Sequence, residues 1–265
     1  MKIGIVGNGF VGNALYQAFK DKVVTKVYDV RTEKSLNTFD DTINCDIVFV
    51  CLPTPMAEDG QCDLSEVNKF FDKIEPRNGN ALYVIKSTVP IGTTELLSRR
   101  RGDLRIVHNP EFLTAVNSVE DFQNAQRHII GGAQESCHQL KEFYNKIFPY
   151  TPIQIVKSKE SETIKYFANS FLASKVALFN VLYDICDNFE LDYESVRDGV
   201  CSDQRIGDSH SKVPGPDGLR GFGGYCFPKD INALIHTLRH ESIDPSIFST
   251  IWTYNRKIRN NKKSE

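Results

Sequence analysis

The sequence has no marked excess of charge of either sign, no cysteine pair at metal or redox spacing and no apolar run long enough to cross a membrane. Its 32 Lys and Arg against 34 Asp and Glu leave a net charge of -2, which offers no general attraction to nucleic acid. Lys257, Arg259, Lys262 and Lys263 make the C-terminal end basic, as a solvated helix end whose cations answer the negative pole of the dipole would be. Seven cysteines, at 45, 51, 62, 137, 186, 201 and 226, show neither CxxC spacing nor an even disulfide framework, so a reducing compartment is expected. His236 and His240 sit four apart, but without HExxH or a third ligand they predict a surface pair and no metal. The chain enters an apolar strand at Lys2, with no stretch that reads as a secretory signal, so the expected location is the cytoplasm with no membrane partner. No internal repeat or low-complexity tract is present.

What is present suffices for a large core: 40% of the 265 residues are hydrophobic, and the length is generous for one ordinary domain. Strand-like runs at 2–7, 23–29, 46–52, 81–86, 104–107, 127–131 and 153–157 alternate with helical or loop segments. That alternation predicts an α/β fold with a Rossmann-type, doubly wound, mostly parallel sheet over 1–157. From about 158 the period changes. Glu160 to Asn188 carries apolar residues at helical spacing without Gly or Pro and predicts one long helix. Helices at about 193–201, 229–240 and 244–260 follow, with a Gly/Pro-rich structured loop at 213–224, giving a mainly helical domain over 158–265. Phe167, Phe171, Leu172, Val176, Phe179 and Leu182 make the long helix too apolar for one small domain to cover. They predict a homodimer core, or packing against the C-terminal helices.

Lys2-Ile3-Gly4-Ile5-Val6 reads as a buried strand and runs into Gly7-Asn8-Gly9-Phe10-Val11-Gly12, then an apolar-periodic run to Phe19. In this strand-turn-helix context the GxGxxG spacing predicts a dinucleotide site. Gly7 makes the tight turn, Gly9 lets the backbone approach a pyrophosphate, and Gly12 lets helix pack on strand. A second strand ends at Asp29, whose carboxylate can accept from an adenosine ribose and repel a 2′-phosphate; this favours NAD over NADP, with Arg31 as the nearby cation that could soften the choice.

Gly221-Phe222-Gly223-Gly224-Tyr225-Cys226-Phe227-Pro228-Lys229-Asp230 sets one cysteine in a glycine-rich loop with a carboxylate four residues behind it. The glycines are read as leaving room for a substrate to reach the sulfur, and a helix starting near Phe227 or Pro228 would turn its positive end toward the thiol. Lys165 and Asn169 lie four apart on the long helix, so both could face one oxygen or form an ordinary exposed polar stripe. Thr88, Asn109 and Glu111 could equally be turn and helix-start residues.

Taken together these segments resemble, in order and over nearly the whole chain, the UDP-glucose/GDP-mannose dehydrogenase family. GNGFVG with Asp29 resembles its NAD site. Leu52-Pro53-Thr54-Pro55 with Asp63-Leu64-Ser65 resembles the next cofactor-side loop, and Lys86-Ser87-Thr88-Val89-Pro90-Ile91-Gly92-Thr93-Thr94 its KSTVPxGTT signature. Asn109-Pro110-Glu111-Phe112-Leu113 is similar to its NPEFL motif, Lys165 and Asn169 to its lysine–asparagine pair, Arg205-Ile206-Gly207 to a substrate loop, and GFGGYCFPKD to its nucleophile motif.

The resemblance implies oxidation of a nucleotide sugar's C6 alcohol to a carboxylate with two NAD, most simply UDP-glucose to UDP-glucuronate. It implies Cys226 as nucleophile, Lys165 and Asn169 as oxyanion donors, Asp230 as acid/base or water-orienting carboxylate, Glu111 for proton transfer and hydrolysis, and Thr88 to position water. It places Gly7 to Gly12, Asp29, Pro53, Thr54, Ser87 and Thr88 at the cofactor. Glu111, Phe112, Leu113, Lys165, Asn169, Arg205 and Gly223 are placed at the substrate. It also implies a dimer through the long helix, with Arg205 near a neighbour's substrate. The chain departs from the family pattern with Ala115 where a second glutamate is usual and Tyr225 where serine is common. It also stops at the linker to the family's third, nucleotide-binding domain, so weaker nucleotide-sugar binding is expected. Two other readings stay open: a two-electron β-hydroxyacid-type dehydrogenase, which also uses a helix-borne lysine and asparagine, and a catalytically silent NAD-binding remnant.

Overall fold

The computed structural model describes residues 1–75, 79–114 and 116–260; Ala115, Lys262 and Lys263 lie outside the described residues. Two compact units emerge: Met1–Pro55 with Cys62–Lys165, and Met56–Gln61 with Tyr166–Glu265.

The first unit alternates strand and helix as its period predicts: β1 (Lys2–Val6), α1 (Phe10–Phe19), β2 (Val24–Tyr28), α2 (Phe39–Ile43), β3 (Ile47–Val50), α3 (Ser65–Lys73), β4 (Leu82–Ile85), α4 (Thr93–Arg100), β5 (Arg105–His108), α5 (Ser118–Gln123), β6 (His128–Gly132), α6 (Gln134–Ile147) and β7 (Ile153–Val156). The strands form one sheet in the order β2-β1-β3-β4-β5-β6-β7, parallel except where β6 meets β5. Alternate residues supply two cores. Ile3, Ile5, Phe49, Val84 and Ile130 pack with α1, α5 and α6 around Phe19, Phe143 and Tyr144. Val6, Val48, Val50, Tyr83 and Ile85 pack with α2, α3 and α4 around Phe70 and Phe71. A sheet buried on both faces accounts for the short, almost unbroken apolar strands. Chain order reverses at β1, flanked by β2 and β3, and the crevice beyond the strand ends at such a switch point is where this class of sheet takes a ligand.

Helix α7 (Ser158–Asn188) begins in the first unit and continues into the second. It starts two residues before the expected Glu160 because the Glu160 side chain accepts from the Lys157 amide at 2.8 Å, the return half of a capping box. The second unit adds α8 (Tyr193–Cys201), α9 (Cys226–His240) and α10 (Ser246–Asn260). Helix α9 starts three residues earlier than its apolar period suggests. Pro228 then falls in the first turn, where a missing N–H is no loss. Ala173, Phe222, Ile231 and Ile235 form one core of this unit with Phe248, Ile251 and Trp252; Phe179, Cys186, Tyr193 and Val213 form another. Of the apolar residues predicted to need cover on α7, Phe179 is buried inside the unit, while Phe167 and Phe171 remain 55% and 60% exposed. Leu178, Val181 and Ile185 extend that exposed set along the helix, and Phe189 follows just past its end. Among the described residues no helix is long and apolar enough to cross a membrane.

Candidate active site

The turn after β1 is built for close backbone approach. Gly7 adopts φ 92°, and a Cβ on Gly12 would lie 1.9 Å from the Gly7 carbonyl oxygen. A Cβ on Gly9 would meet nothing within 4 Å, so the space above that residue is open. Phe10 and Val11 open α1, whose first amides face this end. Asp29, directly after β2, accepts from the Asn8 amide at 2.7 Å through Oδ2 and from the Arg31 amide and Nε at 2.9 and 3.3 Å through Oδ1. Burial alone would raise its carboxyl, but these donors outweigh that and hold it below the usual range. The Asn8 Oδ1 atom is buried without a hydrogen-bond partner. Open space over a glycine, an orphaned acceptor beside it and an ionised carboxylate at the next strand end fit a dinucleotide.

The two loops beyond β3 and β4 are tied together. Thr54 donates to the Thr88 carbonyl at 2.9 Å and Ser87 to the Leu52 carbonyl at 2.6 Å; both side chains are buried, while Pro53 is exposed. Glu162, on the first turns of α7, accepts from the Gly92 and Thr94 amides at 2.5 and 2.8 Å and so caps α4. Lys165 lies three residues further along that helix, so this cap also fixes the start of α7 against the Thr88 loop.

Glu111 and Lys165 form a buried pair, 6% and 2% exposed. Lys165 Nζ donates to Glu111 Oε1 at 3.0 Å and to the Glu111 carbonyl at 2.6 Å, and Glu111 Oε2 accepts from the Leu113 amide at 2.6 Å. Burial pushes the Glu111 carboxyl up, but Lys165, the Leu113 amide and the more distant Lys86 together hold it below the ordinary value, so it is ionised. Phe112 lies between two cations, Lys165 Nζ at 5.3 Å and Arg127 at 4.8 Å from its ring. A cavity of about 550 Å³ opens here, lined by Lys86, Glu111, Phe112, Arg127 and His128 among others.

In the second unit Cys226 is the first residue of α9 and is half-buried. One turn on, Asp230 is fully buried; its Oδ2 accepts from Asn169 Nδ2 at 2.6 Å and its Oδ1 lies 2.5 Å from Lys229 Nζ. Tyr225 is 53% exposed. Arg205 is exposed and paired with Asp203, and its loop is held by Lys175, which donates to the Ile206 and Gly207 carbonyls at 2.8 and 2.9 Å. The expected residues thus divide between the units: Thr88, Glu111 and Lys165 in the first, Asn169, Cys226 and Asp230 in the second. Lys165 and Asn169, read as two donors for one oxygen, each hold a carboxylate of their own.

Several contributors were not singled out as site residues by the sequence. Lys86 is 1% exposed and donates to Asn109 Oδ1 at 3.0 Å; burial foremost pulls its ammonium down to about 8. Asn109 also accepts from the Tyr144 hydroxyl at 2.6 Å and donates to the Ile129 carbonyl, so it is a buried network centre and not a turn residue. Lys86 and Lys229 stand inside recognisable motifs, but spacing does not reveal that a lysine is buried. Glu162 pairs with residues about seventy positions away, and no local pattern records such a partner.

Residues 15–148 match the NAD binding domain of the UDP-glucose/GDP-mannose dehydrogenase family, and residues 159–257 match its central domain. A UDP-glucose 6-dehydrogenase of Pseudomonas aeruginosa is 35% identical over 227 residues, 81% of this chain and 49% of the relative. The chain spans about half the length of the curated relatives it matches. A solved UDP-glucose dehydrogenase from Pyrobaculum islandicum superposes with TM-score 0.84 at 25% identity, covering 97% of this chain and 68% of that one. A Mycobacterium tuberculosis 3-hydroxyisobutyrate dehydrogenase shares the fold at TM-score 0.73 and 14% identity, over 98% of this chain and 94% of its own. The NAD-binding turn, the ordered motifs and both domain matches together place this chain in the UDP-glucose/GDP-mannose dehydrogenase family, with NAD as its cofactor.

Proposed function

We propose that this chain oxidises the C6 alcohol of a nucleotide sugar to the carboxylate, in the manner of UDP-glucose to UDP-glucuronate, with residues 1–157 holding the cofactor and 158–265 carrying the nucleophile. One observation carries the reading: a thiol at the first residue of α9, one helical turn from a buried aspartate clamped by Asn169 and Lys229. A two-electron alcohol oxidation needs no covalent nucleophile, whereas in a four-electron one a nucleophile must add to the aldehyde before the second hydride can leave, and a thiolate serves that step.

NAD, which Gly7 to Gly12 and Asp29 would hold, would supply the hydride acceptor for each of the two oxidations. Glu111, kept ionised, takes the alcohol proton as C6 loses its first hydride and becomes an aldehyde. The Cys226 sulfur then bonds to C6, giving a thiohemiacetal whose oxygen draws on Lys165 and Asn169 for charge stabilisation. Loss of the second hydride leaves a thioester. Water held by Thr88 and polarised by Asp230 or Glu111 attacks it, the C–S bond breaks, and the sulfur leaves as thiolate. Phe112, Leu113 and Arg205 complete the sugar contacts, and a second copy of the chain packs on the exposed face of α7.

A two-electron β-hydroxyacid-type oxidation is the second reading, with which the fold shared with the 3-hydroxyisobutyrate dehydrogenase is compatible. Counting NADH formed per UDP-glucose consumed separates the two. The proposal requires two NADH and a uronate product; one NADH with an aldehyde product, or turnover of a β-hydroxyacid alone, would reject it.

A further inference from the structure

The glycine-rich loop before Cys226 is gripped from two helices. On α7, Asn180, 1% exposed, accepts from the Gly221 amide at 3.0 Å and from Arg220 Nε at 3.3 Å. On α10, Asn255, also 1% exposed, accepts from the Phe222 amide at 2.7 Å and donates back to the Phe222 carbonyl at 3.0 Å. Its side-chain amide therefore pairs with one residue's backbone as a neighbouring strand would. One turn later Arg259 donates to the Arg220 and Gly221 carbonyls at 3.2 and 3.3 Å and to Asp217 at 2.7 Å.

This grip explains the glycines. A Cβ on Gly221 would lie 2.4 Å from Asn255 Oδ1, and one on Gly223 would lie 2.4 Å from the Arg259 guanidinium. The reading of these two glycines as room for a substrate is thereby corrected: the room is filled by α10. Only at Gly224 would a Cβ meet nothing within 4 Å.

We propose that Asn255 and Arg259 are positioning residues for the Cys226 sulfur, α10 holding the backbone four residues before it in the one conformation from which α9 can start at the cysteine. The proposal rests on the reading of Cys226 as nucleophile. Phe222 has no flanking strand to satisfy its backbone, so removing the Asn255 amide leaves both a buried N–H and a buried carbonyl unpaired and frees the loop to shift.

The test compares Asn255→Ala, Asn255→Asp and Arg259→Ala in the full chain with Val196→Ala, which weakens the other core of the same unit. Amide exchange across residues 221–225, alkylation of Cys226 by iodoacetamide, NAD affinity and turnover are measured for each. Asn255→Ala should speed exchange at Phe222 by about tenfold or more. It should change the alkylation rate and lower kcat by roughly 100-fold, the size expected when a reacting atom moves by about 1 Å, while NAD affinity stays within about twofold. Asn255→Asp, which keeps the acceptor for the Phe222 amide, should fall between. Arg259→Ala should move in the same directions with smaller amplitude, and it carries the test if Asn255→Ala fails to fold. Unchanged exchange at 221–225, or a kcat loss no greater than that of Val196→Ala at the same fall in Tm, would overturn the proposal. Exchange and alkylation report on the loop whatever the chemistry. Failure of the nucleophile reading would show separately, as full four-electron turnover by Cys226→Ser.

Discussion

At the scale of single residues, we propose that Asp29 governs the choice of dinucleotide. Its carboxylate is ionised and fixed by Asn8 and Arg31, so a 2′-phosphate would face negative charge. NAD should bind more tightly than NADP, and Asp29→Ala should narrow the gap by roughly 1–2 kcal/mol, the worth of a charged hydrogen bond; paired titrations measure it. A second expectation concerns acid stability. His108 and His128 are buried, and desolvation first, with Lys86 adding to it, pulls each imidazole down to about 3. Neither Nε2 atom has a hydrogen-bond partner. The unfolded chain therefore binds these protons more readily than the fold. Their contribution to stability is complete above about pH 6.5 and is lost as pH falls toward 3, at about 1.4 kcal/mol per histidine for each pH unit. Denaturant unfolding at pH 7.5 and 5.5 reads that slope, and His128→Phe, which keeps the ring stacked 4.3 Å from Tyr144, should remove about one histidine's share. A contiguous motif and a strand end put Cys226 and Asp29 forward as candidates from the sequence alone. The burial of the lysines was not legible there, because Lys86 and Lys165 look like any surface lysine until the fold removes them from water.

At the scale of elements, periodicity without Gly or Pro was enough to read α7 almost to its ends, and the apolar runs located all seven strands to within two residues at either end. For α9 the apolar period alone gave a start at 229, whereas Pro228 pointed to a start near Phe227 or Pro228; the helix begins at Cys226, within two residues of the second reading. The grip of α10 on the nucleophile loop was illegible for a different reason. Asn255 and Phe222 are brought together only by tertiary packing, and the glycines that make room for the contact look the same as glycines that admit a substrate. The exposed face of α7 yields the prediction at this scale. Phe171 and Leu178, 60% and 68% exposed, should be covered by the same helix of a second copy. Phe171→Glu with Leu178→Glu places charge in that contact and should shift sedimentation from dimer to monomer at micromolar concentration. A wild-type chain that sediments as a monomer at every concentration would contradict the dimer.

At the scale of the whole molecule, the α/β fold and the helical half follow from composition and period, and the same fold also serves the 3-hydroxyisobutyrate dehydrogenase; fold therefore does not choose between two-electron and four-electron chemistry. The choice falls to one sulfur. Intact-mass analysis of Cys226→Ser incubated with UDP-glucose and NAD, with NADH counted in parallel, tests that claim most directly. The account predicts a folded, NAD-binding variant that stalls or accumulates a sugar-ester adduct and forms fewer than two NADH per sugar. Undiminished formation of two NADH per sugar, with no adduct on the protein, would contradict it.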